Sequence, residues 1–257
     1  MKHIILPEGA RKNGAAPSRS LVYYLAAEEY VADTVGEGFF LWTSGPTVIF
    51  GRNQDLYAEV NVDYCRSNGI DIFRRKSGGG CVYSDKGNLM MSCIVRSTGV
   101  QESFSRYLSS LVRALEILGL PAVSSEHNDV LVNGRKVSGN ACFARGNSTI
   151  IHGTLLVDMD FGILQKAITP SEDKLASHGV KSVRQRVASL SELGLSAARG
   201  YSGTGMSEDG TIERAILNCF CDGRQALDRK AEEAILELEK SYLDTDFIER
   251  GVLKSGI

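Results

Sequence analysis

Residues Arg74–Asn88 read RRKSGGGCVYSDKGN, and three consecutive glycines interrupt two strand-like runs in this stretch. Consecutive glycines cost backbone entropy, and they allow a ligand to approach the main chain closely. Amide N–H groups in such a turn are free to face an anion. Arg74 and Arg75 add fork-like donors for phosphate or carboxylate. The stretch indicates either an anion-binding loop or a bulge beside two solvated arginines, and the residue pattern alone favours neither.

Elements on both sides of this stretch define the fold class. We expect helices over 18–33, 60–67, 102–118, 211–219 and 225–238, and strands over 39–42, 47–50, 70–74, 81–84, 89–96, 130–132, 136–141 and 149–157. Strands 39–42 and 47–50 are expected to form a hairpin, and Asn133-Gly134 predicts another. Residues 85–88 predict a tight turn between strands. Because hairpins outnumber crossovers, the order predicts an α+β fold with a largely antiparallel sheet.

Composition narrows the function classes. The 257 residues fit one large domain, and the charge sum of 29 − 31 = −2 argues against nucleic-acid binding by the whole surface. No apolar run reaches 18 residues and no signal peptide is evident, so we expect a cytoplasmic protein that is not in a membrane. The six cysteines fit no zinc pattern and are expected to be mostly reduced thiols.

No GxxxxGK[ST] motif occurs, and no GxGxxG motif opens a helix. P-loop and Rossmann phosphate sites are therefore excluded.

A second informative stretch runs from Asn128 to Leu156. Lys136 lies on a predicted strand that continues with small residues, so its ammonium can reach a ligand carbonyl or phosphate without filling the pocket. Asp129 is a candidate ligand for hydrated Mg²⁺, which takes one or two carboxylates plus substrate phosphates. The alternatives are a surface lysine and a turn aspartate. His152 is a candidate ligand-binding residue or a structural histidine.

A third stretch, Lys174–Arg186, carries four basic residues and no acid: Lys174, Lys181, Arg184 and Arg186. A basic loop of this kind can close over an anion, although a solvated basic face is the usual interpretation of a charge run.

Together the stretches resemble the lipoate–protein ligase A family, within the biotin/lipoate protein ligase superfamily. The shared pattern is RRxSGGGxVxxDxGN at Arg74–Asn88 and ND…GxKxSGxA at Asn128–Ala141, then HGTLL at His152–Leu156 and KLxxxGVxSVRxRV at Lys174–Val187. The resemblance implies the α+β fold of biotin–protein ligases and class II aminoacyl-tRNA synthetases. It also implies a single catalytic domain over residues 1–257, without the C-terminal accessory domain that two-domain members carry.

The family activates lipoate with ATP and Mg²⁺ to lipoyl-AMP, then transfers the lipoyl group to a lysine. The acceptor is a lipoyl domain of a 2-oxoacid dehydrogenase E2 or a glycine-cleavage H-type protein. In some relatives the accessory part is a separate chain. The resemblance implies Lys136 as the catalytic residue and Asp129 as the metal ligand. It implies these lipoyl-AMP or nucleotide contacts: Arg74, Arg75, Ser77, Gly78, Gly79, Gly80, Val82, Tyr83, Asn88, Asp129, Ser138, Gly139, Ala141, His152, Gly153 and Thr154.

Ser84 and Ile151 depart from the histidines that family members often carry, and we expect these departures to affect the fit around the ligand. An ATP-independent lipoyl or octanoyl transferase is the alternative function. Such transferases of the superfamily form a cysteine thioester, but no cysteine stands directly before His152 or in residues 124–129. Cys142 is therefore the candidate nucleophile for the transferase, against a packing role. A non-catalytic binding module is disfavoured because the arginine–glycine stretch and Lys136 are intact.

Overall fold

The computed structural model describes residues 1–7, 19–96, 99–126, 128–169, 186–199, 201 and 210–253. The helices are α1 (Leu21–Thr34), α2 (Leu56–Glu59), α3 (Val62–Ser67), α4 (Val100–Ile117), α5 (Phe161–Ala167), α6 (Thr211–Phe220), α7 (Arg229–Leu243) and α8 (Thr245–Arg250). The strands are β1 (Lys2–Ile5), β2 (Gly38–Trp42), β3 (Thr47–Phe50), β4 (Asp71–Arg74), β5 (Val82–Ser84), β6 (Asn88–Arg96), β7 (Ala122–Ser124), β8 (Asp129–Val132), β9 (Arg135–Arg145), β10 (Ser148–Leu156) and β11 (Gly223–Ala226). Among the helices in these ranges, none has both the length and the apolar character needed to cross a membrane.

The strands form two sheets, and the larger one has the order β11-β1-β2-β6-β10-β9-β8-β7. The parallel pairs in that sheet are the two that β1 makes, with β11 and with β2; every pair from β2 to β7 is antiparallel. The smaller sheet has the order β4-β3-β5, with β3 and β4 parallel. The prediction of an α+β fold with a largely antiparallel sheet is therefore confirmed.

One local prediction about the sheets is wrong. Strands β2 and β3 do not form a hairpin, because β2 pairs with β6 in the large sheet and β3 pairs with β4 and β5 in the small one. The tight turn predicted over residues 85–88 is confirmed, since the Asn88 amide donates to the Asp85 carbonyl oxygen, and it joins β5 of the small sheet to β6 of the large one. Both chain reversals are real, but each carries the chain between sheets. The turn at Asn133-Gly134 does join paired strands, and both residues have positive φ, as a two-residue hairpin requires.

Two further differences lie in the last two strands at the β11 side of the large sheet. Sequence analysis did not predict β1, which is four residues long, and it placed a helix from residue 225, where β11 occupies Gly223–Ala226 and α7 begins only at Arg229. The residues of β11 are mostly exposed and lack the β-branched and aromatic types that mark strands. β11 is a strand because its backbone pairs with that of β1, and no local sequence pattern reveals this long-range pairing.

Helices cover the two faces of the large sheet. On one face, the amphipathic α4 and α6 pack against side chains such as Phe39, Met91 and Ile151. On the other face, α1 packs against Trp42 and Ile150, and α7 lies outside α1. Ten of the fourteen residues of α1 are buried, because the helix is enclosed between the sheet and α7. An enclosed helix is apolar nearly all round, so its sequence shows little amphipathic periodicity.

The ring of Phe220 fixes the end of α6 to the sheet. It stacks on Phe39 with ring centroids 4.3 Å apart and planes 13° apart. We expect Phe220→Ala to lower the free energy of unfolding by about 3 kcal/mol, because it removes a buried aromatic ring and leaves a cavity. Urea denaturation followed by circular dichroism measures this change.

The matched control is Asn218→Ala, an exposed position on the same helix. It is expected to change the unfolding free energy by no more than about 0.5 kcal/mol. Equal effects of the two substitutions would contradict this role of Phe220.

Candidate functional site

A cavity of about 300 Å³ lies on the face of the large sheet that α1 covers, beside the loop between β4 and β5. We call this connection, residues 75–81, the glycine-rich loop. The floor of the cavity includes one row of paired residues across strands β2, β6, β10, β9 and β8. In strand order the row is Trp42, Met90, Thr154, Gly139 and Asp129. Four strand spacings of about 4.8 Å make this row about 19 Å long.

One end of the cavity is apolar. Leu21 and Leu25 of α1 pack there with Trp42, Ile49 and Met90 in a single core cluster, and all five line the cavity. These buried side chains favour a hydrocarbon group of a ligand, since burying apolar surface is favourable. We refer to these five residues as the apolar end.

The other end is cationic. The Nζ atom of Lys136 lies 2.7 Å from Oδ1 of Asp129, and Nη2 of Arg186 lies 2.7 Å from Oδ2 of the same carboxylate. All three residues line the cavity, and Asp129 is only 6% exposed. A carboxylate held between two cations retains one net positive charge in this cluster, so an anionic group is favoured at this end. We refer to these three residues as the cationic end.

A β-bulge places Lys136. The pairing of β8 with β9 shifts register between Val130 and Leu131, which brings the Lys136 side chain over Gly139. A Cβ atom on Gly139 would lie 2.6 Å from Nζ of Lys136, so the absence of a side chain there makes room for the ammonium. The main chain of Lys136 also bridges to Val187, and this contact brings the neighbouring Arg186 to the site.

Arg75 braces the glycine-rich loop from inside. Its guanidinium donates to the carbonyl oxygens of Gly78 and Gly80, each at 2.7 Å, and to that of Ile49 at 3.3 Å. Burial lowers the pKa of Arg75 to about 10, partly offset by Cys81. In a trans peptide the N–H points opposite to the C=O, so the amides of Gly79 and Cys81 point away from Arg75. Both residues line the cavity, which favours the interpretation of this stretch as an anion-binding loop.

Gly79 requires the freedom of glycine. Its φ is +91°, and a Cβ atom there would lie 2.8 Å from Nη2 of Arg75. A side chain at this position would therefore be strained and would crowd the guanidinium that shapes the loop.

His152 ties the glycine-rich loop to α1. Its Nδ1 lies 2.9 Å from Glu28 Oε2, and its Nε2 lies 2.7 Å from the Ser77 hydroxyl. Arg75 Nε donates to Ser77 Oγ at 3.1 Å, so the hydroxyl hydrogen of Ser77 is available to donate to Nε2. These partners fit a proton on Nδ1 that is donated to Glu28, with Nε2 accepting from Ser77. The second oxygen of Glu28 accepts a bond of 2.6 Å from Ser92, to which the Trp42 indole donates in turn.

The predicted site residues divide into two groups. Those that line the cavity are Arg75, Gly79, Gly80, Val82, Asp129, Lys136, Gly139, Ala141, His152, Gly153 and Thr154. Those that do not line it are Arg74, Ser77, Gly78, Tyr83, Asn88 and Ser138. Ser77, Gly78 and Ser138 form hydrogen bonds with residues that line the cavity, and so support it indirectly. Tyr83 is buried in the core below the small sheet, and that burial raises the pKa of its hydroxyl.

Arg74 is directed away from the cavity. Its guanidinium donates to carbonyl oxygens on both sides: Gly51, Arg52, Gln54, Ile248 and Glu249. These contacts hold the side chain in a buried position, and desolvation by burial lowers the pKa of the Arg74 guanidinium. Asn88 is fully buried, and its amide nitrogen contacts Tyr83 and Met159. Ser84 and Ile151, the two departures from the family pattern, also lie outside the lining of the cavity, so they touch a ligand there only through other residues. Ser84 bonds to Ser44, and Ile151 packs beneath α4.

Of the basic stretch 174–186, only Arg186 lies within the described residues, and it reaches the cationic end. Lys174, Lys181 and Arg184, with most of the Lys174–Val187 motif, lie outside them.

Sequence analysis missed the apolar end and Glu28. One signal was present: two consecutive glutamates within the otherwise apolar α1 sequence LVYYLAAEEYVADT. Charged residues in a helix enclosed on all sides need buried partners.

The donor atoms present fit a magnesium ion carried by nucleotide phosphates. Asp129 is the one carboxylate among the described residues that line the cavity, and no group of three or more metal-ligating side chains occurs in the described part of the chain. Mg²⁺ is usually held by one or two carboxylates plus phosphate oxygens, and the remaining ligands are water. Both oxygens of Asp129 face cations, so the ion would take this ligand only in place of Lys136 or Arg186.

Comparison with curated proteins gives relatives that are named lipoate–protein ligases. Lipoate-protein ligase LplJ of Bacillus subtilis and lipoate–protein ligase 1 of Staphylococcus aureus are each 40% identical to the chain over 172 residues. Each match covers 65% of this chain and 52% of the relative. The chain therefore spans about half the length of these curated relatives.

Solved structures are similar over the whole chain. A bipartite lipoate protein ligase from Thermoplasma acidophilum has a TM-score of 0.80 at 25% identity, covering 100% of this chain and 99% of that one. A lipoate-protein ligase A bound with ATP has a TM-score of 0.76 at 24% identity, covering 98% and 99%. The second likeness shows the fold alone.

The family of the chain follows from the sequence match. The model described as the lipoyl protein ligase A/B catalytic domain matches residues 21–199, which is well over half of the chain. This span contains the glycine-rich loop, Lys136 and the cavity floor. The chain belongs to the lipoyl protein ligase A/B catalytic domain family.

Proposed function

We propose that this chain is the catalytic domain of an ATP-dependent lipoate–protein ligase. One observation carries the proposal: a single cavity joins an apolar end to a cationic end, beside a loop whose amides suit an anion. An acyl-adenylate has the matching parts, a hydrocarbon chain at one end and a phosphate at the other. Lipoate is the acyl group that the names of the relatives favour.

The first half-reaction forms lipoyl-AMP. A lipoate carboxylate oxygen attacks the α-phosphorus of ATP, and the bond to pyrophosphate breaks. The apolar end holds the hydrocarbon chain, and Lys136 with Arg186 stabilises charge on the phosphate oxygens. Mg²⁺ supplies charge neutralisation to the phosphates when it is bound, with Asp129 as its protein ligand. The proposed nucleotide contacts extend over the glycine-rich loop.

The second half-reaction transfers the lipoyl group. The acceptor lysine amine attacks the carbonyl carbon of the anhydride, the bond to AMP breaks, and the amine loses a proton. This attack develops negative charge on the carbonyl oxygen. Lys136 lies beside Gly139, where no side chain intervenes, and its ammonium serves that oxygen as well.

The acceptor is proposed to be an E2 lipoyl domain or a glycine-cleavage H-type protein. The lipoate protein ligase of Thermoplasma acidophilum is described as bipartite and was studied with its E2 lipoyl domain. The likeness over the whole chain supports a single catalytic domain here that acts with a separate accessory chain. A cytoplasmic location stays a prediction.

The transferase alternative depends on a reactive cysteine, and the geometry of Cys142 disfavours it. The six cysteines are free thiols, as predicted. Cys142 pairs with Ile151 across β9 and β10 and packs toward the core beneath α4, rather than lining the cavity. Burial raises its pKa, which lowers its thiolate content at neutral pH.

The first test is lipoate-dependent exchange of labelled pyrophosphate into ATP, with Mg²⁺ and this chain alone. Exchange is expected if the chain forms the adenylate unaided. If exchange is absent, chemically prepared lipoyl-AMP and an isolated E2 lipoyl domain test the second half-reaction. Transfer without exchange supports a requirement for the accessory chain in the first step. Absence of both half-reactions would overturn the proposed function.

Lys136→Ala tests the cationic end. We expect the rate of whichever half-reaction the wild-type chain performs to fall by about 100-fold or more, because a preorganised charge is lost at the reacting atoms. Lys166→Ala is the matched control, since it removes an exposed lysine from α5. Activity in Lys136→Ala equal to that of the control would rule out the assigned role.

Cys142→Ser separates the ligase from the transferase. The ligase predicts that this variant keeps its rate within about twofold, because an exchange of sulfur for oxygen outside the cavity leaves the reacting groups in place. Lipoyl transfer from an acylated donor protein, measured without ATP by mass spectrometry, is expected to be absent. ATP-free transfer that disappears in Cys142→Ser would establish the transferase instead.

A further inference from the structure

The side chains of the four residues before the glycines, Arg74–Ser77, contact different parts of the structure. Arg75 contacts the loop itself, and Ser77 contacts His152. Arg74 instead contacts α8, whereas Lys76 contacts α7 and the Glu29 carboxylate to which α7 also bonds. Both helices lie outside residues 21–199, the span of the family match. The glycine-rich loop is therefore attached to a part of the chain that the family model does not include.

The first anchor joins Arg74 to the end of α8. Arg74 Nε donates to the carbonyl oxygen of Ile248 at 2.9 Å, and Nη2 donates to that of Glu249 at 3.0 Å. The carboxyl end of a helix presents unpaired carbonyl groups and partial negative charge, which a guanidinium satisfies. Nη1 of the same side chain donates to Arg52 and Gln54, directly after β3. Arg74 thus connects α8 to the segment beneath the loop.

The second anchor is centred on Glu29 of α1, which is fully buried. Lys76 Nζ lies 2.8 Å from Glu29 Oε1, Arg145 pairs with the other oxygen, and the Tyr242 hydroxyl of α7 donates to Oε1. Lys76 also donates to Ser241 at 3.1 Å, and its ammonium lies 4.5 Å from the centre of the Tyr242 ring. Burial and the neighbouring Glu29 raise the pKa of Tyr242, so its hydroxyl stays protonated and donates.

Helix α7 also supports the beginning of α1. The Ser20 hydroxyl donates to Glu239 of α7 at 2.5 Å, and Arg19 pairs with Glu232. Leu21 and Leu25 follow directly and line the apolar end. One helix thereby contacts both the loop and the start of the helix that encloses the cavity.

We propose that α7 and α8 position the glycine-rich loop, with Arg74, Lys76, Glu29 and Tyr242 as positioning residues. None of the four lines the cavity, so each acts through the loop. The loop's use as an adenylate cradle rests on the proposed function, whereas its attachment to α7 and α8 does not. A buried carboxylate is costly unless it is fully paired, so Glu29 holds its partners in one arrangement.

The test measures hydrogen exchange at single amides by NMR in the full chain. The Arg52 amide bonds to the Ser77 carbonyl at 2.9 Å, and the Arg75 amide bonds to the Phe50 carbonyl at 3.0 Å, so these two amides report on the base of the loop. In Tyr242→Phe and in Lys76→Met, both amides are expected to exchange about five- to tenfold faster or more. Tyr242→Phe removes one buried, charge-assisted hydrogen bond, and Lys76→Met removes the ion pair with Glu29 and the hydrogen bond to Ser241. Both variants leave Arg145 paired with Glu29.

Glu237→Gln is the matched control, since its side chain on α7 is 68% exposed. It is expected to leave both amides unchanged. Amides of β6 and β10, in the centre of the large sheet, are expected to stay unchanged in all three variants. The inference is overturned if the Arg52 and Arg75 amides match the control, or if every amide accelerates equally, which would mean that α7 adds only global stability.

A kinetic measurement complements exchange where the wild-type chain is active. Tyr242→Phe is expected to raise the KM for ATP several-fold with a smaller change in kcat, because loop order contributes to binding before it contributes to chemistry. Hydrogen exchange requires no activity. If the wild-type chain is inactive but the variants show faster loop exchange, the positioning role stands and the proposed function fails. If the wild-type chain is active but the variants show unchanged loop exchange, the proposed function stands and the positioning role fails.

Discussion

Glu28 and Glu29 are adjacent in α1, and neither exposes its side chain to solvent. Consecutive helical residues diverge by about 100°, so one carboxylate reaches His152 on the sheet and the other reaches Lys76 and α7. Each buried charge is tolerable only with fixed partners. Since His152 bonds to Ser77, which neighbours Lys76, the two glutamates hold the glycine-rich loop from two sides. The shape of the cavity depends on this pair of carboxylates.

The cavity itself is a consequence of strand order. Residues that pair across five strands change from an indole and a thioether to a glycine and a carboxylate, over about 19 Å. The gradient from apolar to charged is therefore built into a rigid sheet, and loops complete it at both ends. A rigid floor suits a reaction in which one hydrocarbon-bearing ligand must present the same carboxyl group to two successive partners.

Local features were predictable from sequence, and non-local ones were not. The glycine-rich loop, Lys136 and the hairpin at Asn133-Gly134 depend on residues close in sequence. The direction of Arg74 depends on carbonyl groups 174 and 175 residues away, and no spacing rule reaches that far. The supposed hairpin before β3 failed for the same reason, because the choice between two sheets is made by distant strands. Helix α1 lacks a polar face only because α7 covers it.

The Asp129 carboxylate, which lies between Lys136 and Arg186, affects which anions can bind at this end of the cavity. The Asp129 carboxylate competes with any incoming anion for Lys136 and Arg186. Because it belongs to the same chain and already contacts both cations, its effective concentration is very high. A small, singly charged ion such as chloride gains too little to displace it. A ligand that also buries a hydrocarbon chain gains enough elsewhere to win this competition. Asp129 thereby prevents small anions of the solution from occupying Lys136 and Arg186.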